Sequence, residues 1–236
     1  MKRYLQSKYK FFYQIFALFF RKLIFIKLKF FSGSNKKIFS NIYKYDKWNN
    51  DESKSGTGSN LEQTNKIREA LPKLFKQLKI NSILDCPCGD FYWMNTINLE
   101  GYDYKGYDIV SELIASNNKK YGKENVSFEI CDVTNEILEN RDLIIMRDLL
   151  VHFSFEDIFK TLSNIKKSKS KFLLTTNFSE IYSNRDIATG QWRAINLIMP
   201  PFDLPKPKLI IDELNTEYND NNLKSKNLSL WEIKDL

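Results

Sequence analysis

From residue 61 onward, short apolar runs alternate with stretches of helical period. LEQTNKIREALPKLFKQLK places leucine, isoleucine and phenylalanine on one helical face, and Pro72 either starts a new helix or kinks this one. NSILDC then predicts a short buried strand, and DYKGYD a second. VSELIASNNKKYG predicts a helix, and VSFEICD a third strand. RDLIIMRD is apolar between charged ends, as a strand buried on both faces should be. Ser154, with Asp157 three residues on, resembles a capping box that opens a helix over SFEDIFKTLSNIKK. SKFLLTTN predicts a fifth strand. The pattern therefore predicts an α/β fold: a mostly parallel sheet with helices on both faces.

After Asn177 the alternation stops. FSEIYSNRDIATGQWRAINLIMPPFDLPKP precedes KLIIDEL and LSLWEIK, two stretches that can pair as an antiparallel edge hairpin. A long irregular segment inside a domain is usually functional, so 178–207 is a candidate substrate loop. Upstream, DKWNNDESKSGTGSN (46–60) is Gly/Ser-rich and predicts a loop. Ser55–Ser59 either folds over a ligand or is a flexible linker. The division is thus a helical segment 1–45, a loop 46–60 and a main domain 61–236.

Charge changes the picture mainly for the first segment. The chain has 236 residues and a net charge of +7. Residues 1–45 hold eleven Lys/Arg and no acid, which leaves 25 positive against 29 negative charges in the rest. The main domain is mildly acidic, which argues against nucleic acid as a partner. The apolar run 11–20 is too short to span a bilayer, and the segment lacks the small-residue cleavage site of a removable signal peptide. Residues 1–31 read as a basic amphipathic helix. One reading lays it on an anionic membrane surface; the other packs it on the body of the protein.

Candidate chemistry gathers at strand ends. The cysteines Cys86, Cys88 and Cys131 form no disulfide framework, which points to a reducing, cytoplasmic setting. Cys86 and Cys88 are one residue apart and His152 is the sole histidine, so zinc and thioredoxin-like spacings are both absent, and no metal is expected. The cysteines read as small apolar fillers. In CPCGDF, Gly89 lets the backbone approach a nucleotide closely, and Pro87 stiffens the turn. Asp85, Asp108 and Asp132 end three successive strands. An acid at the second such place can accept both ribose hydroxyls, and one at the third can meet an adenine amino group. Each is also a plausible turn or cap residue.

These motifs together, ILDCPCGDF, YKGYD, FEICD and DLIIMRDLLVHF, resemble those of the class I S-adenosylmethionine-dependent methyltransferases. The likeness covers residue 61 to the C-terminus. It implies a Rossmann-like seven-stranded sheet, helices on both faces, and an antiparallel strand inserted last. It implies S-adenosylmethionine as cofactor, held around Asp85, Pro87, Gly89, Asp108, Ile109, Asp132, Val133 and Arg147. The family's acid-x-G-x-G-x-G pattern is incomplete, because Pro87 and Phe91 stand at the first and third glycine positions. PCGDFxWM, RDxLxH and NxDIxxGxWRxxNLxxPPF further resemble methyltransferases of bacterial capsule and surface-polysaccharide synthesis, including O-methyl phosphoramidate decoration.

Methyl transfer needs a positioned acceptor and a route for its proton. His152 is the candidate general base, with Asp148 to orient it or replace it. Arg147 and Arg193 can clamp an anionic acceptor, or serve as ordinary ion-pair partners. Trp93, Trp192 and Asn196 complete the candidate substrate residues. The expected function is O-methyl transfer to a small hydroxylated or anionic molecule, a sugar or a phosphorylated capsule precursor. The rival is a non-catalytic, membrane-associated binding module of the same fold. An NAD-dependent dehydrogenase lacks both its G-x-G-x-x-G turn and its Tyr-x-x-x-Lys pair.

Overall fold

The computed structural model describes residues 33–48, 51–213 and 225–236. Residues 1–31, on which the membrane expectation falls, lie outside that set. Among the described residues, no helix is long and apolar enough to cross a membrane.

Seven strands form one sheet: β1 Ser82–Asp85, β2 Asp103–Asp108, β3 Val126–Ile130, β4 Leu143–Met146, β5 Phe172–Phe178, β6 Leu209–Asp212 and β7 Lys226–Glu232. Their order is β3-β2-β1-β4-β5-β7-β6. The first five run parallel to one another, whereas β7 runs antiparallel between β5 and β6. This is the sheet that the resemblance implied, with an antiparallel C-terminal hairpin. The strand that follows last in sequence is inserted inside the sheet, and β6 forms the edge.

Alternate residues of each central strand serve opposite faces. In β4, Ile144 and Met146 join one core cluster and Leu143 and Ile145 the other, and all four are fully buried. Burying each such side chain stabilises the fold by about 1.5–3 kcal/mol. The helices α2 Asn65–Gln77, α3 Ser111–Tyr121 and α4 Phe155–Ser168 cover the two faces. Ser154 caps α4 by accepting from Asp157 N at 3.2 Å, but the expected box is not reciprocal: Ser154 N donates to Thr189 Oγ1 at 2.9 Å, and Thr189 Oγ1 donates to the Asp157 carboxylate. Pro72 lies well inside α2, and the helix runs on through it. Leu71, Leu74 and Phe75 around it are buried against the sheet and hold the helix in place.

A shorter helix, α1 Asn35–Lys44, precedes the main domain. Its Phe39 and Ile42 are buried in the same core cluster as Met146 and Leu150. The described part of the N-terminal segment therefore packs on the body of the protein. Strand order reverses between β1 and β4, since β1 pairs with β2 on one side and β4 on the other. A crevice opens there at the carboxyl ends of the strands, where ligands of such sheets sit.

Candidate functional site

The turn after β1 is pressed into a narrow space. Gly89 has φ +54°, and a Cβ there would stand 2.1 Å from Ser55 Oγ. Only glycine meets both demands without strain. Ser55 belongs to the Gly/Ser-rich segment, which crosses over the turn as a strap. Ser53 Oγ and Lys54 N donate to the Asp90 carboxylate at 3.1 and 2.7 Å, and Asp90 N donates to Ser55 Oγ at 3.0 Å. Of Ser55–Ser59, Ser55 is tied to Asp90 of the turn and the Gly58 carbonyl accepts from Arg147.

Beneath the strap, a cavity of about 110 Å³ follows the ends of β1 to β4. Pro87, Gly89, Asp108, Ile109, Asp132, Val133 and Arg147 all line it, as do Trp93, Asp148 and His152. Asp85 does not. It is buried behind the turn, where Tyr104 Oη donates to it at 2.7 Å. Burial pushes its carboxyl up to about 7, against the pull of Tyr104 and Arg147. Asp108 accepts from Val110 N at 2.9 Å and Gly89 N at 3.2 Å. Burial still raises it to about 6, against the pull of the Val110, Gly89 and Ile109 backbone N–H groups. Asp132 is engaged by its own turn, accepting from Thr134 N and Oγ1 and from Asn135 Nδ2.

Phe91, at the third glycine position, has φ +61° and is buried. Its ring packs among Tyr104, Tyr121 and Phe128, with centroids 5.0–5.2 Å away. It points into the core and does not line the cavity. The three cysteines are free and buried, and burial raises each thiol, Cys131 to about 12. They pack in the core clusters, and all three also line the cavity. Among the described residues, no group of three or more His, Cys, Asp or Glu is placed to hold a metal ion.

A second cavity, about 160 Å³, adjoins the first. The two share Trp48, Ser55, Asp148 and His152. Trp192, Phe178, Gln63 and Lys226 line only the second. His152 closes a 3₁₀ turn, Leu150–His152, just beyond β4. Its Nδ1 lies 3.0 Å from the Gln191 carbonyl, which can only accept, so Nδ1 carries the proton and Nε2 keeps its lone pair. Burial lowers its pKa below the usual histidine value, although the Gln191 carbonyl and Asp148 oppose the shift. The ring rests against Trp48, with centroids 5.3 Å apart.

Asp148 does not hydrogen-bond His152. It sits at φ +55°, with its backbone N–H on Thr176 Oγ1. Its carboxylate faces Lys226 at 2.8 Å and Arg147 at 3.2 Å. Burial alone would raise Asp148, but those two cations outweigh it and hold the group well below the usual carboxylate range. Arg147 also pairs with Glu213 at 2.6 Å, donates to the Gly58 carbonyl of the strap at 2.7 Å, and lies over the face of Trp93.

Segment 178–207 is pinned rather than loose. Asn184 Nδ2 reaches the Asn196, Met199 and Pro200 carbonyls, and Asn196 Nδ2 those of Ser179 and Ile181. Arg193 is 1% exposed and donates to the Leu150 and Phe153 carbonyls at 2.7 and 2.9 Å. It thereby clasps the turn that carries His152. Neither Arg193 nor Asn196 lines either cavity, whereas Trp192 lines the second. Lys226, Glu213, Trp48 and Asp90 went unnoticed in the sequence. Of these, only Asp90 had a local signal, as the acid closing CPCGD; the others come from segments distant in the chain.

No known family model matches the chain, and no curated protein sequence matches it. Among solved structures, TehB from Haemophilus influenzae is similar over 69% of this chain and 60% of its own, at 18% identity and a TM-score of 0.49. The PH0226 protein from Pyrococcus horikoshii OT3 is similar over 56% of this chain and 61% of its own, at 19% identity and a TM-score of 0.45. Magnesium protoporphyrin IX methyltransferase (ChlM) from Synechocystis PCC 6803 with bound SAM is similar over 66% of this chain and 79% of its own, at 13% identity and a TM-score of 0.45. The chain spans about three fifths of the first two. The strand order by itself establishes the fold.

Proposed function

We propose that this protein transfers a methyl group from S-adenosylmethionine to a hydroxyl of a small acceptor. The observation that carries the reading is Asp108: a buried carboxylate at the end of β2, raised to about 6, lining a cavity at the point where strand order reverses. The residues present fit the cofactor. Asp108 would take the ribose hydroxyls as donors beside the Val110 and Gly89 N–H groups. Ile109, Val133 and Leu149 offer apolar walls for the adenine, with Asp132 at its rim. The Pro87–Gly89 turn would face the methionine portion, with Arg147 and Trp93 beyond it. Asp85 would act from behind, by fixing the turn through Tyr104. Phe91 leaves the cavity clear, which weakens the case for a disabled, non-catalytic module.

When bound, the cofactor supplies a methyl carbon on a sulfonium, which makes that carbon electrophilic. The chain's own residues then position the acceptor and handle its proton. His152 is neutral at physiological pH and presents Nε2 as the base. The Gln191 carbonyl fixes its tautomer, and Arg193 holds the turn. Ionised Asp148 steadies the imidazolium that forms. The second cavity would hold the acceptor, a sugar or a phosphorylated precursor of a surface polysaccharide. Titration calorimetry tests the cofactor: S-adenosylmethionine and S-adenosylhomocysteine should bind in the micromolar range and NAD should not. Absence of binding by folded protein would overturn the reading.

A further inference from the structure

The second cavity carries an inference about the acceptor, which deepens the reading above and rests on it. Its cations are already spent on internal partners. Lys226 Nζ lies 2.8 Å from Asp148 Oδ2 and 3.2 Å from Glu213 Oε2. Arg147 pairs with the same two oxygens at 3.2 and 2.6 Å. Two cations and two carboxylates therefore cancel within one cluster. Among the described residues, Lys226 is the only Lys or Arg that lines this cavity, and Asp148 lines it beside Lys226.

An anionic acceptor would gain from Lys226 what it loses to Asp148. Attraction to one unit charge and repulsion from another at a similar distance are of similar size, so the two terms offset. The cost of stripping water from the anion would remain uncompensated. A neutral hydroxyl group meets no such barrier. It can donate to Asp148 and accept from Lys226 without disturbing their balance. The walls suit the rest of such a molecule. Trp48, Phe178 and Trp192 supply flat apolar faces, and Gln63 and Thr57 add polar edges. Trp192 is 36% exposed and stands edge-on to Phe178 at 6.1 Å. A volume of about 160 Å³ takes one ring-sized group, since a cavity of about 150 Å³ holds a benzene.

We propose that the acceptor is an uncharged molecule with hydroxyls on a saturated ring, a sugar in its chemistry, and not a phosphate or carboxylate. In the reaction, the acceptor hydroxyl gives its proton to His152 Nε2. Its oxygen bonds to the methyl carbon as the carbon–sulfur bond breaks, and that electron pair leaves with the sulfur, which becomes a neutral thioether. No further reactant is needed.

The test uses full-length protein labelled with 5-fluorotryptophan, with S-adenosylhomocysteine binding measured first by calorimetry. If the nucleoside does not bind, the methyltransferase reading fails before the acceptor is addressed. With it bound, the probes are methyl α-glucopyranoside, -galactopyranoside and -mannopyranoside, their 6-phosphates, and inorganic phosphate. At least one neutral glycoside should move the Trp48 or Trp192 fluorine resonance saturably. Its 6-phosphate should bind at least about tenfold more weakly, and inorganic phosphate should move neither signal. Asp148→Asn leaves the cluster with surplus positive charge and should gain phosphate binding. A phosphorylated probe that binds as tightly as its neutral partner would overturn the proposal. So would inorganic phosphate moving the signals of the unmutated protein, failure of every neutral glycoside, or an Asp148→Asn protein that still rejects phosphate.

Discussion

In the proposed reaction Asp108 binds the cofactor and His152 takes the proton, and burial shifts the titration of each, upward for Asp108 and downward for His152. Burial favours the protonated form of Asp108 up to about pH 6, while ribose hydroxyls would favour the ionised form. Cofactor binding should then release a proton and tighten as pH rises through about 6, by up to tenfold per pH unit below that value. Calorimetry in buffers of different ionisation enthalpy reads the released proton directly. For His152, burial keeps the imidazole neutral further into the acid range than a free histidine. Its acidic limb in the pH–rate profile should lie below pH 6.5. His152→Gln should lower kcat by about 10²–10⁴-fold and abolish that limb, with S-adenosylhomocysteine affinity within about threefold of the parent. Loss of cofactor affinity by the same factor would instead mark His152 as a cofactor contact.

At the scale of elements, the strands and the long helices were legible because period and strand-end residues agreed. DYKGYD forms β2 over its full length, and Ser154 caps α4, with Thr189 standing between Ser154 N and the Asp157 carboxylate where a capping box would join them directly. The strap and the 178–207 segment were legible only in outline. Their conformation depends on partners far along the chain: Asp90 and Arg147 for the strap, the Leu150–Phe153 carbonyls for Arg193. No local pattern encodes such contacts. The same holds for the charge cluster, whose members sit at the end of β4, just after β6 and at the start of β7. The strap's fit over Gly89 is testable. Gly89→Ala forces a left-handed alanine and a collision with Ser55 Oγ. It should destabilise the fold by about 1–3 kcal/mol and weaken S-adenosylhomocysteine binding more than Gly101→Ala, where φ is also positive but no atom lies within 4 Å. Equal effects in thermal melts and calorimetry would show that the strap does not close on this turn.

For the whole molecule, buried charge shapes stability. Glu213 is 5% exposed and anchors both Arg147 and Lys226. Glu213→Gln removes one anion and leaves buried positive charge uncompensated, so it should cost about 3–5 kcal/mol in urea unfolding; a loss under about 1 kcal/mol would show the cluster to be dispensable. Asp85 works in the opposite sense. Its folded pKa of about 7 exceeds its unfolded value, so between about pH 4 and 7 the unfolded chain releases a proton that the folded chain retains, and stability falls as pH rises. Asp85→Asn keeps an acceptor for Tyr104 and should raise the melting temperature at pH 8 but not at pH 4. The fold brings Asp108 and His152 to one cavity, and the central claim is that this cavity takes S-adenosylmethionine through Asp108. The most direct measurement is S-adenosylhomocysteine affinity by calorimetry from pH 5 to 8, for the unmutated protein and Asp108→Asn. The account predicts micromolar binding that tightens through about pH 6, and a variant at least about 30-fold weaker with a flat profile. A variant that binds as tightly as its parent, or a parent that does not bind at all, would contradict it.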